Sequence, residues 1–388
     1  MAVALALDLL RDLIRCNSVT PVDGGAQDVL VRFLEPLGFT CTRTPFEGDD
    51  SYRVENLFAT RGSSGPHLLF AGHTDVVPVG DAEAWTHDPF SADIDENGVM
   101  WGRGAVDMKS GVAAFCAALP AFIESGQADK CTISLLITGD EESDAVNGTV
   151  KVLKWAQEQG HTFDFGLVGE PSSAETFGDI VKIGRRGSLG FTISVAGEQG
   201  HVAYPDKARN PLPTLAGIAH QLSSAKLDDG NESFQPTNLE ITSIDVGNSA
   251  TNVIPAKGRL QGNIRFNDIW DGQKLKDWLT TQIQQVPTNG CDVELNINQP
   301  VSRSFVSHDS SHVDLLLESV SAIAGQVPKR STGGGTSDAR FIADYCPVAE
   351  FGLVGKTMHQ VDEQVPTQMV LELEKVYAHF LNSFAKQG

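Results

Sequence analysis

Side chains that bind metals or move protons stand where apolar runs end. His73 and Asp75 follow Leu68-Leu69-Phe70-Ala71-Gly72, and Glu170 follows Phe165-Gly166-Leu167-Val168-Gly169. Glu141 and Glu142 close the run Ile133-Ser134-Leu135-Leu136-Ile137-Thr138-Gly139-Asp140. Asp107 precedes a helix-like stretch that begins at Ser110, and His359 comes shortly after the strand-like segment 348–351. Adjacent carboxylates repel, so the Glu141-Glu142 pair calls for a cation beside it.

Two imidazoles with several carboxylates form a borderline-hard donor set, suited to Zn²⁺ and acceptable to Co²⁺ or Mn²⁺. Five ligands exceed what one tetrahedral ion uses, so two ions sharing a carboxylate account for the set. Ions ~3.5–4 Å apart would hold a bridging water and bring its pKa toward ~7, which is hydrolytic chemistry. Only one of Glu141 and Glu142 need be a ligand. The other then acts as general base on the water and later protonates the leaving amine. Asp75, two residues beyond His73, is placed to accept the second imidazole N–H. Singly, each residue has an ordinary explanation: an Asp before a helix is a cap, and paired Glu residues are a solvated face. Together, separate strand ends deliver ligand types and none delivers a nucleophile beside a base. The segment Gly335-Thr-Ser337-Asp-Ala lacks the GxSxG elbow of a serine hydrolase.

The elements that position these groups follow from periodicity. Apolar residues at helical spacing predict a first helix through Leu5, Leu9, Leu13 and Ile14, and a second over 26–37. Strands are expected at 56–60, 67–71, 131–138 and 165–168, with helices at 110–123 and 150–159. Continuous apolar strands separated by helices indicate an α/β fold with a mostly parallel sheet covered on both faces, where ligands collect beyond the carboxyl ends of the strands. From 182 to 296 the texture changes to period-two alternation, in 191–195, 239–244, 259–266 and 291–297, with helices at 213–224 and 272–285 between. That order, β-α-β-β-α-β, is the ferredoxin-like split βαβ. After 300 the first texture returns, with helices at 313–324, 338–343 and 368–385. The reading is one discontinuous domain, 1–181 with 297–388, interrupted by an inserted domain, 182–296.

Composition sets the class. The 388 residues suggest two domains, each large enough for its own core. A formal net charge of -21 excludes a nucleic-acid surface. Six scattered cysteines without a CxxC pair fit a reduced, cytoplasmic compartment. The apolar stretch from Ala2 to Leu10 is broken by Asp8 and has no basic flank, so it reads as a helix rather than a leader, and no run reaches the ~20 apolar residues of a membrane span.

Several blocks resemble a known family. His73-x-Asp75, Gly104-Ala-Val-Asp107-Met-Lys-Ser-Gly111, Asp140-Glu-Glu142, Gly169-Glu170-Pro171 and Gly200-His201-Val-Ala-Tyr-Pro205 are similar to signature blocks of the dinuclear-zinc M20 peptidases and deacylases. The resemblance runs from the first helix to the last. It implies a zinc-peptidase-like fold with an inserted lid and dimerisation domain, and two Zn²⁺ per subunit. His73, Asp107 and Glu170 would hold one ion, and Asp107, Glu142 and His359 the other, with Asp107 bridging. Glu141 would be the general acid/base, and His201 would reach the partner subunit's site to polarise the scissile carbonyl.

The blocks Gly184-Arg-Arg-Gly187, Thr251-Asn-Val-Ile-Pro255 and Gly333-Gly-Gly-Thr-Ser-Asp-Ala-Arg-Phe341 are narrower. They resemble the branch that hydrolyses N-succinyl-LL-2,6-diaminopimelate to succinate and LL-2,6-diaminopimelate, and they imply that Arg186, Tyr204, Asn252, Arg265, Thr332, Gly333 and Ser337 line the substrate site. Such a substrate carries three carboxylates, so an acidic chain needs local guanidinium groups to clamp it; Arg185, Arg186, Arg265 and Arg330 are candidates. The same chemistry on another N-acyl amino acid, such as N-acetylornithine, or on a short peptide is the rival expectation. A non-catalytic metal-binding dimer is a different class, and it has no use for the extra carboxylate of Glu141. The chain departs from the desuccinylating pattern at Gly355, where an Asn is usual, and at Gln360 and Asp362.

Overall fold

The structure is a computed structural model that describes residues 4–308 and 310–387. Ala2 and Val3 of the N-terminal apolar stretch lie outside the described residues. The chain divides into two compact units: Met1–Gly184 with Val306–Ser331 and Ser337–Gly388, and Arg185–Phe305 with Thr332–Thr336.

In the first unit the apolar runs become a sheet of eight strands. Their order is Thr40–Arg43, Leu57–Arg61, Thr132–Thr138, His67–His73, Phe165–Val168, Val348–Glu350, Ile180–Lys182, Lys329–Ser331. The four strands from Thr132–Thr138 to Val348–Glu350 are mutually parallel, while antiparallel pairings flank them. Every residue of Thr132–Thr138 and His67–His73 is buried, which leaves these strands no wet face and explains their lack of alternation. The outer strands Thr40–Arg43, Ile180–Lys182 and Lys329–Ser331 have only three or four residues and no continuous apolar run, so periodicity passed over them.

Helix Lys109–Glu124 is buried along most of its length, and its Phe115 ring stacks on Phe70 of the sheet at 3.9 Å between centroids. Tyr377, on helix Thr367–Phe384, packs edge-on against both rings and donates its hydroxyl to the Phe351 carbonyl. Each such fully buried ring contributes about 1.5–3 kcal/mol. Gly111 sets how close this helix comes to the sheet. A Cβ there would lie 2.2 Å from the Gly169 carbonyl oxygen, so only glycine lets the first turn reach the strand end that carries Glu170. Lys109, fully buried, donates to the carbonyls of Leu13 and Cys16 at 2.9 and 3.0 Å, placing a cation at the carboxyl end of helix Leu5–Arg15.

The second unit shows the expected alternation. Gly187–Ala196 and Lys257–Phe266 bury every other residue. The sheet order Asn238–Asp245, Lys257–Phe266, Gly187–Ala196, Asp292–Ile297 is antiparallel throughout. Helices Leu212–Ser223 and Gly272–Gln284 cover one face, closing a core of Leu189, Phe191, Ile193, Leu215, Ile264 and Phe266. Element order and strand order are those of a ferredoxin-like unit. The loop between Ser223 and Asn238 is tied by Asp228, whose carboxylate accepts from Trp270 Nε1, Asn267 Nδ2 and the amides of Gly230 and Thr237. Among the described residues no helix is long and apolar enough to cross a membrane.

Candidate metal centre

The carboxyl ends of the parallel strands bring the sequence-predicted ligands together within the first unit. His73 ends its strand with no exposed surface. Its Nε2 lies 3.3 Å from Asp107 Oδ1 and 3.5 Å from Glu170 Oε1. Asp107 turns its other oxygen, Oδ2, to His359 Nε2 at 3.3 Å, and that nitrogen is 2.9 Å from Glu142 Oε1. One carboxylate thus faces two imidazoles with different oxygens. Two triads, His73–Asp107–Glu142 and His73–Glu141–Glu170, each have ligand atoms within 4.8 Å of one another. Glu141 belongs to one of these triads, so position alone does not set it apart from the ligands.

The orientation of His73 comes from a different atom than the sequence suggested. Its Nδ1 is 2.9 Å from the backbone oxygen of Asp75, whereas the Asp75 carboxylate stands 3.6 Å away. That carboxylate instead accepts the amide N–H groups of Glu141 and Glu142 at 3.3 and 3.0 Å. Asp75 therefore fixes the glutamate pair as well as facing the imidazole. Asp140 supports the same turn from behind: it accepts the amides of Val146 and Asn147 and the Tyr52 hydroxyl. Sequence reasoning gave Asp140, Tyr52 and Asn147 no role, since their value lies in long-range hydrogen bonds that no spacing reveals.

Five carboxylates against two imidazoles leave an excess of buried negative charge. Burial, with the Asp107 charge beside it, pushes Glu170 up to about 8, and burial, with the Glu142 charge, drives Asp75 up to about 7. Glu141 is held well above the ordinary carboxyl range by burial and by the facing Glu170, Asp338 and Glu142. Hydrogen bonds to Asp107 and Glu142 raise His359 to about 10. Burial disfavours the charged form of His73, yet Asp107 and Glu170 outweigh it and raise the imidazole well above its usual value. Asp107, despite burial, is drawn well below the carboxylate range by the same two imidazoles.

These residues fit a bound divalent cation. The buried atoms His73 Nε2 and Asp107 Oδ1 have no hydrogen-bond partner among the described residues, although they face each other across the cluster. Orphaned buried donors and acceptors are costly unless something else engages them. The donor set of imidazole and carboxylate is that of zinc and its neighbours.

The expected substrate groups fall in several places. In the second unit Arg186 donates Nη1 to Asn238 at 2.8 Å, and its Nε is buried with no hydrogen-bond partner among the described residues. Burial and the nearby Arg186 charge lower the pKa of Arg265, so two guanidinium groups share one neighbourhood. Arg185 is engaged by the Gly335 carbonyl, and Arg330 pairs with Asp314 on the surface of the first unit. Tyr204, His201 and Asn252 are exposed; His201 Nδ1 accepts from the amide of Ala203, which fixes its tautomer. Gly333 is half-buried, and the buried Thr332 spends its hydroxyl on the Ser233 carbonyl. In the first unit Ser337, also buried, gives its hydroxyl to Glu350.

A succinyl-diaminopimelate desuccinylase of Gluconacetobacter diazotrophicus is 52% identical over 376 residues, covering 97% of this chain and 96% of that protein. One from Methylocella silvestris is 48% identical over 382 residues, covering 98% of each. Among solved structures, an M20-family metallo-carboxypeptidase from Sulfolobus solfataricus superposes with a TM-score of 0.78 at 17% identity, over 98% of this chain and 99% of that one. The model of peptidase family M20/M25/M40 matches residues 69–383, the span that holds every residue of the cluster, and the chain belongs to that family.

Proposed function

We propose that this protein hydrolyses the amide bond of N-succinyl-LL-2,6-diaminopimelate, releasing succinate and LL-2,6-diaminopimelate for diaminopimelate and lysine biosynthesis in the cytoplasm. The observation that carries the reading is near-full-length identity of about half to two desuccinylases, in a chain that gathers His73, Asp107, Glu141, Glu142 and Glu170 into one cluster.

His73, Asp107 and Glu170 would hold one zinc ion, and Asp107, Glu142 and His359 a second, with Co²⁺ or Mn²⁺ acceptable in one site. When bound, the ions supply Lewis-acid activation of water and of the amide carbonyl. Glu141 takes the proton that the attacking water gives up. It passes that proton to the amide nitrogen as the amine leaves. Asp75 keeps Glu141 and Glu142 aimed through their amides, so the proton carrier and its neighbouring ligand cannot exchange places. Arg186 and Arg265 provide paired guanidinium donors for a substrate carboxylate, and Tyr204, Asn252, Thr332 and Gly333 of the same unit are assigned to substrate with them. Ser337, in the first unit, is also assigned to substrate, and its hydroxyl, like that of Thr332, already has a protein acceptor. Dimerisation through the inserted unit, with exposed His201 serving the neighbouring copy, belongs to the same reading. No nucleic-acid or membrane partner is part of it.

Zinc-loaded purified protein should release succinate from the succinyl compound. If it instead cleaves only N-acetylornithine at useful rates, the substrate is wrong and the chemistry stands.

A further inference from the structure

The residue that ties the cluster together lies outside every role assigned so far. Glu363 has no exposed surface, and both its oxygens are doubly used. Oε1 accepts the amides of Val106 and Asp107 at 2.8 and 3.1 Å. Oε2 accepts the Gly104 amide at 3.0 Å and Arg103 Nη1 at 2.9 Å. The backbone joins in, since the Gly102 amide donates to the Glu363 carbonyl at 2.9 Å. Arg103 is 2% exposed, packs over the Trp85 ring and sends Nη2 to the Pro78 carbonyl, so the clamp is itself held.

Glu363 sits four residues beyond His359 in the chain, and its carboxylate grips the turn that presents Asp107. One side chain therefore joins two segments that supply ligands. Asp107 must keep one oxygen toward His73 and the other toward His359 at equal 3.3 Å distances, a placement its backbone sets before its side chain can. We propose that Glu363 is the positioning residue that fixes Asp107 between the two metal sites, so that both ions depend on it. The inference rests on the two-ion reading above.

Glu363→Gln tests it without changing size. Whichever way the amide turns, one oxygen becomes a donor, and two of the four converging donors lose their acceptor. Groups that orient metal ligands change affinity by ~10–100-fold when removed. Stepwise zinc affinities, measured by chelator competition on stripped protein, should therefore weaken by at least about 10-fold at both sites, with a changed absorption spectrum of the Co²⁺-loaded form. Asp362→Asn is the control on the same loop. Asp362 holds Thr86 through its carboxylate and does not touch the Asp107 turn. Its substitution should weaken only the step that uses His359. If Glu363→Gln does not fold, Glu363→Asp keeps both oxygens but withdraws them by one methylene, and the same two-site weakening is expected. Wild-type affinities and spectrum in the folded Glu363 variant overturn the proposal, as does loss at one site only. If the wild-type protein itself fails to bind two ions, the two-ion reading falls instead.

Discussion

In the unit with the candidate metal cluster most of the clustered groups are buried: His73 fully, Glu170 with 7% and Asp107 with 8% exposure, while the His359 side chain is 47% exposed. In the inserted unit Tyr204 is 60% exposed, and His201 and Asn252 also lie at the surface. The first arrangement suits cations, whose ligands must be held against mutual repulsion by surrounding hydrogen bonds. Asp75, Asp140 and Glu363 do this for Glu141, Glu142 and Asp107. The second suits a substrate that must enter and leave, the role proposed above for Arg186 and Arg265. Preorganisation is concentrated where charge density is highest.

If that contrast is right, substitutions in the two units should fail in different ways. Asp107→Ala should have the largest effect. It removes the oxygen facing each imidazole, so zinc content should fall below two per chain and activity should vanish; retention of two ions measured by elemental analysis would break the contrast. Arg186→Ala should leave zinc content intact and raise KM by roughly 10–100-fold, the ~1.5–3 kcal/mol of a hydrogen bond to a charged group. An unchanged KM would remove Arg186 from the subsite. Asp228→Ala, in the polar hub of the inserted unit, should lower stability by about 1–3 kcal/mol in chemical denaturation, without loss of zinc.

The smallest effect is one of pH on the chelator-stripped protein. His359 is raised from 6.5 to about 10, and Glu170 from 4.5 to about 8. Both bind protons more tightly when folded. Their contributions are therefore fully present below pH 6.5 for His359 and below pH 4.5 for Glu170, and are lost as pH rises through about 10 and about 8. Thermal melting of stripped protein should thus fall steadily from pH 6 to pH 10. Zinc-loaded protein, whose cations replace those protons, should show a flatter profile over the same range.

The same contrast explains what the sequence disclosed. Ligands were legible because apolar runs such as Leu68-Leu69-Phe70-Ala71-Gly72 point to a strand, and a strand of a parallel sheet delivers its next residues to the ligand edge. The inserted unit was legible through its period of two. Short outer strands, such as Lys329–Ser331, were not, because hydrogen bonds to neighbours define them and apolar patterning does not. The supporting groups escaped for a related reason. Glu363 lies 256 residues from Asp107, and Asp75 acts on Glu141 and Glu142 across 66 and 67 residues. Ser337 and Thr332 could be placed near a substrate by resemblance, but only coordinates show that their hydroxyls are engaged by Glu350 and Ser233.

In the proposed mechanism Glu141 carries the proton while Glu142 holds a metal. Glu141→Gln, assayed for zinc content and for succinate release from N-succinyl-LL-2,6-diaminopimelate, tests it most directly. The account predicts two zinc ions per chain, as in the wild type, with kcat lowered by ~10²–10⁴-fold, the contribution of a general acid/base. Near-normal succinate release, or loss of an ion with the substitution, would contradict it.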